Sequence, residues 1–238
     1  MARHFAAFDI DGTIIRWQLY HALADEMAKA GLLDSVEFTK VRAARMAWKN
    51  RNQATSFKDY EDTLIKLVDS AMQHISVEDL RLACRNVIEE YKSQAYTYTR
   101  DLIKELKAKD YLLFAISASQ SEIVQLIAEY YGFDDFGGSE YEVKDGYFTG
   151  KKNLLISERK PEYLKALVTK HGADYTKSIA VGDSESDIPM LASVENPVAF
   201  NPNKQLFEHA KQQQWNIVVE RKNMIYKLEP RSGSYILA

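Results

Sequence analysis

Five short apolar segments, separated mostly by patterns of helical period, constrain the fold of this chain more than any other feature. They are HFAAF (4–8), YLLFAIS (111–117), SIAVG (178–182), NPVAF (196–200) and WNIVV (215–219). Segments this short and this rich in β-branched or aromatic residues predict strands buried on both faces. Strands that alternate with helices predict an α/β fold, in which helices cover both faces of a parallel sheet.

The alternation is interrupted after the first strand, because residues 16–97 contain only helical patterns. Within them, Ser76 and Asp79 form a capping-box pattern at the start of a long amphipathic segment. We therefore predict an all-helical cap domain over 16–97, inserted into a catalytic core made of residues 1–15 and 98–238.

A second irregular segment, SEYEVKDGYFTG (139–150), falls within the predicted core. Val143 and Tyr147 flank Lys-Asp-Gly, and an Asp-Gly pair between apolar residues is typical of a tight β-hairpin. We expect a small antiparallel ribbon outside the main sheet.

The composition gives no support to several classes of protein. The 238 residues carry a formal net charge of -3, which gives no whole-molecule argument for binding nucleic acid. Cys84 is the single cysteine, so no internal disulfide can form, and this suits a reducing cytosol. The sequence contains no apolar run of the roughly 18 residues that a membrane span requires. We therefore expect a cytoplasmic protein without a nucleic-acid or membrane partner, and the sequence predicts no oligomeric state.

Three polar side chains lie where predicted strands end. Asp9, Ser117 and Asp183 each follow or close an apolar segment. In parallel sheets the ligand crevice lies beyond the carboxyl ends of the strands. The three side chains are therefore expected on one edge of the sheet, where they can share a ligand.

The sequence FDIDGT (8–13) places two carboxylates two residues apart, on Asp9 and Asp11. Alternate side chains at a strand end share a face, so both can reach one site. A hard cation such as Mg²⁺ binds carboxylates and phosphate oxygens and relieves the repulsion between two acids. With the cation bound, Asp9 can attack phosphorus and Asp11 can exchange a proton with the leaving oxygen. Gly12 permits a tight turn that brings the backbone close to the ligand.

The second strand supplies a candidate phosphate ligand. The hydroxyl of Ser117 and the backbone N–H groups that follow it, beginning at Ala118, can hold a phosphate at the start of a helix. Ser119 has a simpler interpretation, because Glu122 lies three residues later and completes a capping box. We expect Ser119 to cap the following helix and take no part in the chemistry.

A lysine and a second pair of acids complete the predicted site. Lys160 precedes a proline that suits the first turn of a helix, so a cation stands at that helix start. Asp183 is the expected third metal ligand. Asp187 is expected to orient Lys160 or a metal-bound water, although with Ser184 it also matches a capping box. Each motif alone is often structural, but their order along one predicted edge favours a joint site.

These motifs together resemble those of the haloacid dehalogenase superfamily. FDIDGT matches its first motif, AIS its second, Lys160 its third and GDSESD its fourth. The spacing from Lys160 to Asp183 and the helical insert are similar to the phosphoserine-phosphatase-like branch. The resemblance implies a Rossmann-like core and Mg²⁺-dependent hydrolysis of phosphomonoesters through an aspartyl-phosphate. It also implies Asp9 as nucleophile, Asp11 as general acid and base, and Ser117 and Lys160 as phosphate ligands.

The resemblance further implies that the metal is held by the carboxylates of Asp9 and Asp183 and by the backbone carbonyl of Asp11. The presence of Asp11 favours phosphoryl transfer over dehalogenation. Gln18 stands where phosphoserine phosphatases carry a glutamate that binds the substrate amine. A neutral amide cannot pair with an ammonium as a carboxylate does, which disfavours phosphoserine as the substrate.

Several alternatives stay open at this stage. We expect a small phosphorylated metabolite as substrate, but a phosphotransferase or phosphomutase would use the same residues. A non-catalytic phosphate-binding regulatory protein is a third possibility. Arg42, Arg45 and Lys49 share one helical face, which is either solvated or forms a cationic lid over an anionic substrate.

Overall fold

The computed structural model describes residues 2–53, 55–231 and 234–237. These residues divide into two compact units. The core unit comprises Met1–Gln18, Tyr91–Ser139 and Leu155–Ala238, and the helical unit comprises Leu19–Glu90 and Glu140–Leu154.

The helices are α1 (Leu19–Lys29), α2 (Ser35–Lys49), α3 (Ser56–Met72), α4 (Val77–Tyr91), α5 (Thr97–Ala108), α6 (Ser121–Tyr131), α7 (Lys160–His171), α8 (Ile188–Leu191) and α9 (Lys204–Gln213). The strands are β1 (His4–Phe8), β2 (Leu112–Gln120), β3 (Asp135–Lys144), β4 (Tyr147–Leu154), β5 (Asp174–Gly182), β6 (Asn196–Phe200), β7 (Asn216–Arg221), β8 (Met224–Arg231) and β9 (Ser234–Leu237). Short 3₁₀ turns cover Ile156–Glu158 and Glu185–Asp187.

The core unit is built on a mostly parallel sheet, as the alternating pattern predicts. Its strands lie in the order β3-β2-β1-β5-β6-β7-β8-β9, and the pairs from β3 to β7 are parallel. Strand β1 is central, because Phe8 pairs with Ala115 on one side and with Val181 on the other. Its side chains from Phe5 to Phe8 are fully buried. The carboxyl ends of β1, β2 and β5 therefore meet at one edge of the sheet.

The antiparallel extension β8–β9 is not predicted from the sequence, and part of β3 lies in the main sheet instead of outside it. Residues at the start of β3 pair in parallel with β2, through Phe136 opposite Ala115, so this segment is not wholly outside the main sheet. The rest of β3 forms the expected antiparallel hairpin with β4. Asp145 and Gly146 both have positive φ angles in its turn, 52° and 82°, which is the conformation that Asp-Gly favours.

The helical unit contains α1 to α3 and nearly all of α4. Helix α4 begins as predicted, since the Ser76 hydroxyl accepts a hydrogen bond from the Asp79 N–H and donates one to its carboxylate. The boundaries of the units differ from the predicted domains in three places. Residues 16–18 and 91–97 belong to the core unit, and the hairpin segment 140–154 belongs to the helical unit.

The predicted cationic face of α2 is partly structural. Arg45 donates two hydrogen bonds to the Asp25 carboxylate, at 2.9 and 2.7 Å, and a third to the Tyr60 hydroxyl at 3.0 Å. Arg42 and Lys49 are exposed. Of the three cations, Arg45 is therefore committed to the packing of the helical unit.

Among the described residues, no helix is long and apolar enough to cross a bilayer.

Candidate active site

The turn after β1 brings two distant acids together. The Asp9 N–H continues the sheet by donating to the Val181 carbonyl at 2.9 Å. Gly12 then adopts a φ of 81°, and a Cβ atom at this position would lie 2.2 Å from Oδ2 of Asp183. Only glycine fits this approach, because any side chain would collide with the carboxylate and strain the backbone. The glycine therefore allows the β1 and β5 strand ends to converge.

Lys160 connects two of the carboxylates. Its ammonium nitrogen lies 2.7 Å from Oδ1 of Asp9 and 2.6 Å from Oδ1 of Asp187. The three side chains are at most 7% exposed. Burial opposes the charge of Lys160, but Asp187 and Asp9 outweigh it and raise its pKa above the ordinary value. The lysine therefore stays positively charged between two acids.

Asp187 is fixed on its other side by the backbone. Its Oδ2 accepts hydrogen bonds from the N–H groups of Asp183 and Ser184, at 3.1 and 3.0 Å, and from the Ser184 hydroxyl. This is the capping box that the sequence predicts, and it opens the turn leading into α8. Both oxygens of Asp187 are therefore occupied by donors. The residue orients Lys160, in agreement with one of the two roles expected for it.

The site holds more negative than positive charge. Carboxylate oxygens of Asp9, Asp183 and Asp187 all lie within 4.8 Å of one another. Burial raises the pKa of Asp9 to about 7 although Lys160 opposes the shift, and Asp187 adds to the rise. Burial also raises the pKa of Asp183 to about 9, with repulsion from Asp9 as the next cause. One lysine cannot neutralise three carboxylates. The cluster therefore has an excess of negative charge, which is typical of a site that binds a cation.

The residues present fit a hard divalent cation. Asp9 and Asp183 are the better candidate ligands, because the oxygens of Asp187 already accept hydrogen bonds from Lys160 and from the backbone. The Asp11 carboxylate accepts hydrogen bonds from two serine hydroxyls. Its backbone carbonyl is therefore the group of Asp11 that is expected to contact the metal. Ligands made only of oxygen atoms suit Mg²⁺.

The second acid is held by two hydroxyl groups. Ser117 donates to Oδ2 of Asp11 at 2.8 Å, and Ser119 donates to the same oxygen at 2.9 Å. The expectation that Ser119 caps the next helix is wrong. Strand β2 continues to Gln120, which takes the N-cap position of α6 without a side-chain capping bond. Ser119 is thus a buried site residue, and its spacing of two from Ser117 on a strand is the signal that indicates it.

Other residues at the site differ in how closely they approach the acids. Thr13, which the sequence analysis did not single out, is fully buried, and its hydroxyl lies 3.5 Å from Oδ1 of Asp183. Ala118 is exposed between two buried serines. Gln18 is half-buried and ends the first segment of the core unit. It makes no hydrogen bond to the acidic cluster among the described contacts.

Comparisons with known proteins identify the family to which the sequence is similar. A model of the haloacid dehalogenase-like hydrolases matches residues 6–192. The chain is 25% identical over 229 residues to a histidinol-phosphatase of Neisseria meningitidis serogroup C (strain 8013), which covers 91% of this chain and 98% of the relative. It is 26% identical over 219 residues to a phosphoserine phosphatase of Methanocaldococcus jannaschii, covering 91% and 92%.

Solved structures show the same fold. A protein of unknown function from Bordetella pertussis Tohama I superposes with a TM-score of 0.73 at 20% identity, over 91% of this chain and 98% of the other. A phosphoserine phosphatase solved as an analogue of its phospho-aspartyl intermediate superposes with a TM-score of 0.63 at 22% identity, over 93% and 95%. The predicted α/β fold is therefore confirmed.

Proposed function

The chain belongs to the haloacid dehalogenase-like hydrolase family, and on that premise we propose that it is a Mg²⁺-dependent phosphatase of a small phosphorylated metabolite. The observation that carries the proposal is the excess of buried carboxylates around Lys160. Asp9 lies 2.7 Å from this lysine at the end of the central strand, beside Asp183. Relatives named as histidinol-phosphatase and phosphoserine phosphatase support the class of reaction.

In the proposed first step, an oxygen of the Asp9 carboxylate attacks the phosphorus atom of the ester. The bond from phosphorus to the ester oxygen breaks, and that oxygen keeps the electron pair. Asp11 donates a proton to it, so the product alcohol leaves uncharged. Asp9 is left as an acyl phosphate. Lys160 and the Ser117 hydroxyl hold the remaining phosphate oxygens.

In the second step, water attacks the phosphorus atom of the phosphorylated Asp9. Asp11, now a carboxylate, accepts a proton from that water, and the bond from phosphorus to Asp9 breaks. The electron pair returns to the carboxylate of Asp9. The sum is the conversion of a phosphate ester and water into an alcohol and inorganic phosphate.

The residues proposed to hold Mg²⁺ are Asp9 and Asp183 through their carboxylates and Asp11 through its backbone carbonyl. When bound, the ion supplies positive charge that lowers the repulsion between these acids and the substrate phosphate. The raised pKa values of Asp9 and Asp183 support this assignment, because they mark two acids that need a further cation to ionise together.

We further propose that residues 16–97 act as a cap that contributes to the recognition of the leaving group. Gln18, which ends the first segment of the core unit, is the candidate residue for this role. Gly12 and Ala118 are proposed to present backbone groups to the phosphate. The neutral amide of Gln18 disfavours an ammonium group at that point of the substrate.

The test is phosphate release by the purified protein from 4-nitrophenyl phosphate and from a panel of phosphorylated metabolites. Mg²⁺ should be required, and Asp9→Asn should lower kcat by on the order of 10⁴-fold or more, because the nucleophile is lost. Asp101→Asn removes an exposed carboxylate of the same unit and should stay within about twofold.

A second measurement separates a covalent from a direct mechanism. In Asp11→Asn the second step lacks its base, while the 4-nitrophenolate leaving group needs little help from an acid in the first step. Mass spectrometry of the quenched reaction with 4-nitrophenyl phosphate should therefore find a phosphoryl group on Asp9. Absence of phosphate release across the whole panel in the wild type would refute the proposed function.

A further inference from the structure

The Asp11 carboxylate is held by an arrangement that the proposed mechanism does not use in full. Two hydroxyl groups, those of Ser117 and Ser119, donate to the same oxygen, Oδ2. The Ser117 oxygen in turn accepts a hydrogen bond from the Ser119 backbone N–H at 3.0 Å. Both serines are nearly inaccessible, at 1% and 3% exposed. The two buried serines and the partly buried Asp11 form one hydrogen-bonded unit.

A count of protons shows why two hydroxyls are needed. A serine hydroxyl carries one proton and can donate one hydrogen bond. In the substrate-free protein the proton of Ser117 is committed to Asp11, at 2.8 Å. When Ser117 donates to a phosphate oxygen instead, Asp11 loses that bond. Ser119 then provides the hydroxyl that still holds Oδ2.

The backbone around Ser119 is held in place by β3. A Cβ atom at Gly138 on β3 would lie 2.6 Å from the Ser121 Cα atom and 3.1 Å from the Ser119 carbonyl oxygen, so the two strands are in close contact there. The Ser139 hydroxyl donates to the neighbouring Ala118 carbonyl at 2.8 Å. The backbone that carries Ser119 is therefore held from β3, independently of the acid itself.

We infer that Ser119 is a positioning residue, which holds the general acid Asp11 through Oδ2 while Ser117 binds the substrate phosphate. The inference rests on the proposed function, because it assigns Asp11 the proton transfer in both steps. Ser119 does not touch the substrate in this account. Its effect is to keep Asp11 oriented toward the leaving oxygen and later toward the attacking water.

The dependence of the rate on the leaving group tests this role. An alkyl phosphate needs a proton on its leaving oxygen, whereas 4-nitrophenyl phosphate leaves as a stable anion and needs little help. Ser119→Ala should therefore lower kcat/KM for alkyl phosphates by about 10- to 100-fold, part of the ~10²- to 10⁴-fold effect of a general acid. For 4-nitrophenyl phosphate kcat/KM should change by less than about threefold.

A second kinetic signature comes from the later step. Hydrolysis of the phosphorylated Asp9 needs Asp11 as a base for every substrate. Ser119→Ala should therefore lower kcat for 4-nitrophenyl phosphate while its kcat/KM is retained, so kcat and KM fall together. A loss of folded protein would lower kcat and kcat/KM by the same factor for both kinds of ester.

Three further variants serve as controls. Ser119→Thr retains the hydroxyl and should recover most of the lost rate on alkyl phosphates. Ser119→Cys nearly keeps the volume with a weak donor, and replaces the alanine variant if that fails to fold. Ser139→Ala removes a buried hydroxyl that contacts the same segment without contacting Asp11, so any effect should be equal for both kinds of ester.

The possible outcomes separate the two proposals. Suppose that a folded Ser119→Ala loses kcat/KM by the same factor on both kinds of ester, or loses none. Either result would overturn the role of Ser119 and leave the phosphatase proposal standing. If the wild type releases phosphate from neither kind of ester, both proposals fail.

Discussion

The two units of the molecule each contain a cluster of charged side chains, and the clusters differ in their balance of acids and cations. In the core unit, Lys160 forms ion pairs with Asp9 and Asp187, and Asp183 lies close to both acids. One positive charge is therefore present among three carboxylates. In the helical unit, Asp25 receives two hydrogen bonds from one guanidinium. The first cluster is charge-unbalanced and the second is paired one to one.

The difference is reflected in the proton affinities of the groups. Burial raises the pKa values of Asp9 and Asp183 to about 7 and 9, so these acids resist ionising together. In the helical unit, burial opposes the charge of Arg45, but the hydrogen bonds to Asp25 raise the pKa of the guanidinium. A balanced pair is satisfied by the chain itself. An unbalanced cluster is relieved by binding protons or by binding an added cation, and the second is what the proposed Mg²⁺ site requires.

The largest expected contrast is in the response to Mg²⁺. Asp183→Asn should weaken Mg²⁺ binding by about 100-fold or more, because it removes a proposed direct ligand. Asp25→Asn makes the same chemical change in the balanced cluster and should leave Mg²⁺ affinity within about twofold. The rise in the melting temperature with Mg²⁺ concentration measures both, without reference to turnover. Equal responses of the two variants would contradict the assignment of the metal site to the unbalanced cluster.

The next contrast is in pH dependence. Asp9 and Asp183 have folded-state pKa values above their unfolded values, so the folded metal-free protein binds more protons than the unfolded chain between about pH 4 and 9. Stability from these groups is therefore full below about pH 4, falls progressively as the pH rises, and is lost once the pH passes the folded-state pKa values of about 7 and 9. The melting temperature of the metal-free protein should fall over this range. Saturating Mg²⁺ should remove most of the fall, because it binds the ionised acids.

The control for this measurement is Asp183→Asn, which removes the more strongly shifted acid. Its metal-free melting temperature should fall less between pH 7 and 9 than that of the wild type. A slope unchanged by this substitution would show that other groups cause the pH dependence.

The contrast between the clusters also explains what the sequence could predict. Asp9, Ser117 and Asp183 were identified because each follows an apolar strand, and parallel strands bring their carboxyl ends to one edge. The helix-start pattern places Lys160 at the site, and its contact with Asp187 is one of the two roles that the sequence leaves open for that acid. These are local signals whose consequences in three dimensions are set by the sheet.

The structural features that the sequence does not predict depend on contacts between distant residues, for which the sequence carries no local signal. Ser119 matched a capping box, and that local pattern concealed the continuation of β2 by which the hydroxyl reaches Asp11. Arg45 lay on a polar helix face, and the position of Asp25 on a different helix decides its role. Strands β8 and β9 are largely exposed, so they lack the apolar pattern by which buried strands are recognised.

The smallest expected effect concerns the balanced pair itself. Asp25→Asn and Arg45→Met should each lower the free energy of unfolding by about 1–2 kcal/mol, since the side chains are 31% and 17% exposed and partly screened by water. The double variant should lose less than the sum, because neither single charge is then left without its partner. Urea unfolding of the four proteins measures the coupling, and Tyr60→Phe removes the acceptor of the third Arg45 hydrogen bond as a control. Strict additivity would show that the pair contributes no stability, and the two clusters would then differ only in their response to the cation.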